Sequence, residues 1–115
     1  MLNKKIREWG ERLAAEFLTK KGHEIIERNY RFSHGEIDLI AMKGELLVFV
    51  EVKARSGLYF GYPEDAVNGN KIEIITKVAE EYIYKIDWHG GVRYDMIAIM
   101  NKKPMAIRHF EDPFH

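Results

Sequence analysis

The sequence predicts an α/β domain on a mixed sheet, with its elements in the order αβββαββ. Three observations predict it. Two stretches carry apolar residues at helical spacing, three strand-like runs parted by glycine turns lie between them, and the third run is apolar enough to be a central strand.

The elements follow in order. Ile6, Trp9, Leu13, Phe17 and Leu18 recur at helical spacing, which predicts an amphipathic helix over residues 4–21 with Gly22 as its stop. Residues 23–31 contain Ile25, Ile26 and Tyr30 and read as a first strand or edge segment. Ser33-His34-Gly35 is a turn, residues 36–42 a second strand, Lys43-Gly44 a hairpin turn and residues 46–54 a third strand. The third run opens with Leu46, Leu47, Val48, Phe49 and Val50, as in a strand buried on both faces. Residues 55–70 hold three glycines, one proline and three aromatics, and read as a long functional loop. Ile72, Ile75, Val78, Ala79, Tyr82, Ile83 and Ile86 predict a second helix, with Asn68 or Asn70 as its cap. His89-Gly90-Gly91 breaks the chain before a fourth strand at residues 92–100. Lys102-Lys103-Pro104 turns into a fifth at 105–110.

Composition bounds the function. With 115 residues, 46% hydrophobic and 31% charged, the chain suits one globular domain over residues 1–115. No apolar run reaches the roughly 20 residues of a membrane span, and the amino terminus lacks the apolar core of a secretory signal. No membrane partner is therefore expected. The absence of cysteine excludes a disulfide scaffold, a thiolate zinc site, an iron–sulfur cluster and a thiol nucleophile, and fits a cytoplasmic address. The formal net charge is zero, where a general nucleic-acid binder usually shows a basic excess. Residues 1–35 nevertheless carry eight Lys and Arg against five Glu, and the remainder is acidic.

The chemistry-bearing segment is Glu51-Val52-Lys53, at the end of the apolar third strand. Alternation places Glu51 and Lys53 on one face with Leu47 and Phe49. In the second strand it places Glu36, Asp38 and Ile40 on one face, with Ile37 and Leu39 on the other. A hairpin centred between Lys43 and Gly44 sets Asp38 opposite Phe49 and Glu36 opposite Glu51, so that Asp38 and Glu51 become diagonal neighbours. Two carboxylates suffice for Mg²⁺, which keeps waters and takes a substrate phosphate. A lysine beside them can position the attacking water or stabilise charge on phosphorus. On spacing alone, an ordinary Glu–Lys salt bridge is the commoner meaning of this pattern.

The segments Gly35-Glu36-Ile37-Asp38-Leu39-Ile40-Ala41 and Val48-Phe49-Val50-Glu51-Val52-Lys53-Ala54-Arg55 resemble the YraN-type family of small bacterial proteins. The likeness extends from Gly10-Glu11-Arg12-Leu13-Ala14-Ala15 through Asn29-Tyr30-Arg31 to Arg93-Tyr94-Asp95. That family is placed in the PD-(D/E)xK superfamily, with restriction endonucleases and Holliday-junction resolvases. The resemblance implies a restriction endonuclease-like αβββαβ core, a central mixed sheet flanked by helices, and a metal-dependent nuclease acting on DNA, branched or junction DNA included. It implies Asp38, Glu51 and Glu11 as catalytic carboxylates holding Mg²⁺ or Mn²⁺, and Lys53 as the catalytic lysine. Ile37 stands where a proline gave the superfamily motif its name. A non-catalytic nucleic-acid-binding or partner-binding module in DNA processing is the rival reading.

Other residues carry paired readings. Tyr59, in Tyr59-Phe60-Gly61-Tyr62-Pro63, either stacks on a base or packs into a core or interface. Lys71 at the start of the second helix, and Arg55 after the third strand, either contact a phosphate or are solvated. Glu36 either supports the metal from behind or lies on the surface. Asp95 reads as structural, paired with a nearby Arg or Lys. Likeness to junction resolvases implies a homodimer, because two sites about a two-fold axis suit a symmetric junction; a monomer stays open.

Overall fold

The computed structural model describes residues 2–55 and 69–113. The elements are α1 (Leu2–Lys20), β1 (Glu24–Phe32), β2 (Gly35–Lys43), β3 (Leu46–Arg55), α2 (Gly69–Ile86), β4 (Gly91–Met100) and β5 (Ala106–Glu111). The five strands form one mixed sheet in sequence order. The meander β1–β2–β3 is antiparallel, β4 runs parallel to β3, and β5 returns antiparallel to β4. A parallel neighbour requires a crossover; α2 lies within it.

Each face of the sheet carries one helix. Ala14, Ala15 and Leu18 of α1 pack on Leu39, Ala41, Val48, Val50, Val52, Ile97 and Ile99. Ile75, Val78, Ala79 and Tyr82 of α2 pack on Ile37, Ile40, Leu47 and Phe49. β3 is therefore buried from both sides, which is why its sequence is a continuous apolar run rather than an alternating one. Two glycines set how closely the helices approach. A Cβ on Gly10 would lie 2.6 Å from Ala54 Cβ, so α1 crosses β3 there almost backbone to backbone. A Cβ on Gly35 would lie 2.6 Å from both Ile74 Cγ2 and Val78 Cγ2 of α2.

Two expectations of local geometry are corrected. The β2–β3 ladder pairs Lys43 with Leu46 and Leu39 with Val50. The turn is therefore Gly44-Glu45, with Gly44 at φ 60°, where glycine is at ease. The register moves by two residues, a shift that by itself turns no side chain to the other face. Ile37 and Leu39 do not share a face. Ile37 joins Ile40 in the α2 layer, and Leu39 joins Ala41 in the α1 layer, so alternation slips around Asp38. The cause lies in the next strand. Asn29 adopts φ 51°, and the β1–β2 pairing passes from Arg28–Leu39 to Tyr30–Ile37 without an Asn29–Asp38 pair. A left-handed residue within a strand kinks it and frees the residue opposite from the ladder. Among the described residues, no helix is long and apolar enough to cross a membrane.

Candidate active site

The carboxyl-terminal half of β3 is where the apolar strand gives way to charge. Leu47 and Phe49 face α2, and alternation carries Glu51 and Lys53 to the same side. The ladder to β2 runs from Lys43–Leu46 to Leu39–Val50, and Asp38 stands next in line, level with Glu51. Asp38 is buried, and its Oδ2 accepts a hydrogen bond from the Val52 N–H at 2.8 Å. Its pKa is pushed up to about 8, first by burial, then by a hydrogen bond with Glu51 and by the Glu51 charge; the Val52 N–H opposes the rise. The Asp38 carboxyl therefore holds a proton more readily than an ordinary aspartate. Lys71 Nζ, from the first turn of α2, lies 3.9 Å from Glu51 Oε2. Burial lowers the pKa of Lys53, and the charges of Arg55 and Lys71 lower it further, against the pull of Glu51 and Asp38.

Glu11 reaches this region from the opposite face. The close crossing at Gly10 draws it down onto the sheet, and it is only 9% exposed despite lying off the apolar stripe of α1. Its Oε1 accepts a hydrogen bond from Asn29 Nδ2 at 2.9 Å, and its Oε2 is buried without a partner. Burial raises its pKa, Asn29 opposes this, and the Asp38 charge adds to the rise. Asp38, Glu51 and Lys53 are thus brought together, and Glu11, on α1, is near enough for the Asp38 charge to raise its pKa. Among the described residues, no three His, Asp or Glu side chains are grouped to hold a metal ion.

The other expected residues fall as follows. Arg55 is the exposed last residue of β3, and its carbonyl accepts a hydrogen bond from Asn101 N–H at 2.8 Å. Lys71 meets the site through Glu51. Tyr59 lies outside the described residues. Glu36 accepts a hydrogen bond from Arg31 Nε at 2.6 Å, and its charge also raises the Asp38 pKa. Asp95 pairs with Arg93 as expected, through two hydrogen bonds of 2.7 and 2.8 Å. His109 Nε2, 2.7 Å from Asp95 Oδ2, completes the arrangement, and Lys21 Nζ lies 2.7 Å from His109 Nδ1. A lysine offers only donors, so Nδ1 is the accepting nitrogen and Nε2–H donates to Asp95. Burial pushes the Asp95 pKa up, and the hydrogen bonds from His109 and Arg93 bring it below the ordinary value. Sequence reasoning passed over Asn29, whose signal was an Asn, tolerant of left-handed backbone, inside a strand-like run.

Relatives of this chain share most of its length. A UPF0102 protein of Flavobacterium psychrophilum is 45% identical over 108 residues, covering 93% of this chain and 91% of its own. One of Dictyoglomus thermophilum is 44% identical over 112 residues, covering 96% and 95%. One of Rhodococcus opacus is 47% identical over 108 residues, covering 91% and 92%. Among solved structures, Pyrococcus furiosus SfsA in complex with Ca²⁺ gives a TM-score of 0.38 at 16% identity, and the match covers 94% of this chain and 63% of that one. The family model described as "Uncharacterised protein family UPF0102" matches residues 10–99, and the chain belongs to that family.

Proposed function

We propose that this protein is a metal-dependent nuclease with a restriction endonuclease-like core of the PD-(D/E)xK kind, hydrolysing phosphodiester bonds in DNA. One observation carries the reading: two carboxyls in contact, Asp38 and Glu51, lie at the end of a central strand with Lys53 on the same side. A carboxyl buried with its pKa raised costs stability when charged, and such groups cluster at functional sites.

The donor chemistry fits Mg²⁺ or Mn²⁺, which take hard carboxylate oxygens. Asp38 and Glu51 would hold the ion, and when bound it would polarise the phosphoryl oxygen and acidify a water. Asp38, with its pKa raised, must first give up its proton to bind the ion. Lys53, with its pKa lowered, gives up a proton more readily than an exposed lysine and can receive one from the attacking water at Nζ. Arg55 and Lys71 add positive charge beside it, where a DNA phosphate would dock.

The test is cleavage in Mg²⁺ or Mn²⁺ of labelled four-way junctions, flaps, single strands, linear duplexes and structured RNA. Asp38→Ala and Lys53→Ala proteins purified identically run alongside. Wild type alone should cut. Equal cutting by all three, or none, would overturn the reading and favour a non-catalytic nucleic-acid or partner-binding module.

A further inference from the structure

The register of the sheet carries basic chemistry past Lys53. β3 pairs Lys53 with Ala98 of β4, and β4 pairs Ala98 with Arg108 of β5. Paired residues on neighbouring strands share a face, so Lys53 and Arg108 stand on the α2 side of the sheet with Ala98 between them. Their backbones are roughly 10 Å apart, two strand spacings, and the short alanine does not part their side chains. β5 sorts its charges by face. Arg108 is exposed on the α2 side, while His109 and Glu111 turn to the α1 side and meet Asp95 and Arg93. The end of the sheet adds to the positive charge. Asn101 N–H donates to the Arg55 carbonyl at 2.8 Å, which sets the exposed Lys102 and Lys103 beside the exposed Arg55. Among the described residues, Arg55, Lys102 and Lys103 form no salt bridge. The formal net charge of the chain is zero, so this concentration is a matter of placement, not of a general excess.

Charge on an edge strand is a common guard against strand pairing, but a guard does not require Arg108 to share a face and a row with Lys53. On this side of the sheet the buried layer beneath α2 is built on Ile37, Ile40, Leu47 and Phe49, and it contains no residue of β5. The charge of Glu80, on α2, reaches Tyr94 lower in β4. A polyanion is repelled there and is held to the Lys53–Arg108 row and the basic end of the sheet above it. We infer that a nucleic-acid strand runs from the Asp38–Glu51 pair across β4 to β5, with one backbone phosphate at Arg108 and its neighbours at Lys102 and Lys103. The inference rests on the nuclease reading and adds the course of its substrate. The Arg108 guanidinium can hold two oxygens of one phosphate, whereas the lysines act as point charges. Such contacts position a strand and read no sequence.

The experiment is fluorescence anisotropy in EDTA, so that nothing is cut, with a labelled duplex and a labelled single strand titrated over a range of salt. Wild-type affinity should fall steeply with salt. Arg108→Ala should weaken binding about tenfold at low salt. It should also lower the slope of log affinity against log salt by about one, equally for probes of different sequence. Arg108→Lys should keep the wild-type slope. A protein with both Lys102→Ala and Lys103→Ala should lose about two from it. Lys43→Ala, the same charge lost from the exposed far end of the β2–β3 hairpin, should change binding less than about twofold. These are surface changes, and thermal melting by circular dichroism checks that each variant is folded. An Arg108→Ala or double-lysine protein that binds like Lys43→Ala would overturn the assignment, and so would a wild type that binds neither probe. Metal-dependent cutting that needs Asp38 and Lys53, alongside an unaltered Arg108→Ala, leaves the nuclease reading standing with its substrate on another path. Binding that depends on Arg108, without cutting, keeps the surface and removes the nuclease.

Discussion

Replacing Asp38 by Asn should stabilise the protein, and the gain should grow with pH. The folded Asp38 carboxyl holds its proton up to about pH 8, against an ordinary value of 3.8. Between these values the folded state binds a proton that the unfolded state has released. Stability is therefore complete below the ordinary pKa and is lost as pH rises toward 8. One proton is worth about 1.4 kcal/mol per pH unit, so the whole window bounds the effect at several kcal/mol. The Val52 N–H is already included in that raised pKa, the nearby Lys53 charge offsets part of the remaining cost, and we expect ~2–3 kcal/mol at pH 8. Asn keeps the shape, accepts from Val52 N–H through its oxygen, donates to Glu51 through its nitrogen and carries no charge. Thermal unfolding followed by circular dichroism, in EDTA from pH 5 to 9, is the assay. At about 3–6 °C per kcal/mol for a domain of this size, the variant should melt ~10 °C above wild type at pH 8 and near it at pH 5. Parallel pH profiles, or a variant less stable at pH 8, would refute the argument, because Asp38 would then carry its charge without strain.

Four further outcomes are expected. Lys53→Met should change stability by no more than about 1 kcal/mol in urea, because burial already works against the ammonium, while cutting falls about 100-fold or more; retained cutting would remove Lys53 from the chemistry. Mn²⁺ should raise the melting temperature of wild type but not of Asp38→Asn, with apparent affinity increasing from pH 6 to 8 as Asp38 loses its proton; a pH-independent rise would place the ion elsewhere. Gly10→Ala should cost ~1–3 kcal/mol, because its Cβ would sit 2.6 Å from Ala54 Cβ; an unchanged melting curve would mean that α1 does not cross β3 so closely. Asp95→Ala should cost ~3–5 kcal/mol by leaving Arg93 and His109 without their acceptor, and it should flatten the acid limb of the stability profile. The sign follows from a lowered pKa: this stability is present above the ordinary carboxylate value and is lost as pH falls through the folded one.

Local pattern carried the elements and the side-chain faces. The stripe from Ile72 to Ile86 and the run from Leu46 to Val50 depend only on near neighbours, and both lie inside α2 and β3. The hairpin register came out two residues away from the sequence expectation, yet Asp38 and Glu51 still meet. A two-residue shift leaves the pleat unchanged, and it brings Asp38 from a diagonal position to one level with Glu51. What local pattern did not carry was set by contacts distant in the chain. The slip at Asp38 follows from the backbone of Asn29 in β1, and Lys21, Asp95 and His109 meet only because β5 returns along β4 and α1 ends nearby.

The burial of Glu11 shows the same logic and its consequence. On a helical wheel Glu11 lies off the apolar stripe, and a solvated carboxylate is the ordinary expectation for such a position. Its burial depends on Gly10 lying against Ala54, a contact between α1 and the last turn of charge on β3. Gly10 therefore acts on the site although it bears no chemistry: by letting the helix down onto the strand, it presses Glu11 against Asn29 and within electrostatic reach of Asp38. A fold that needed only stability would place an apolar side chain or a solvated one there. Two carboxyls whose pKa values rise with burial, Glu11 and Asp38, thus lie within reach of each other where α1 meets the sheet, and buried titratable groups of that kind cluster at functional sites.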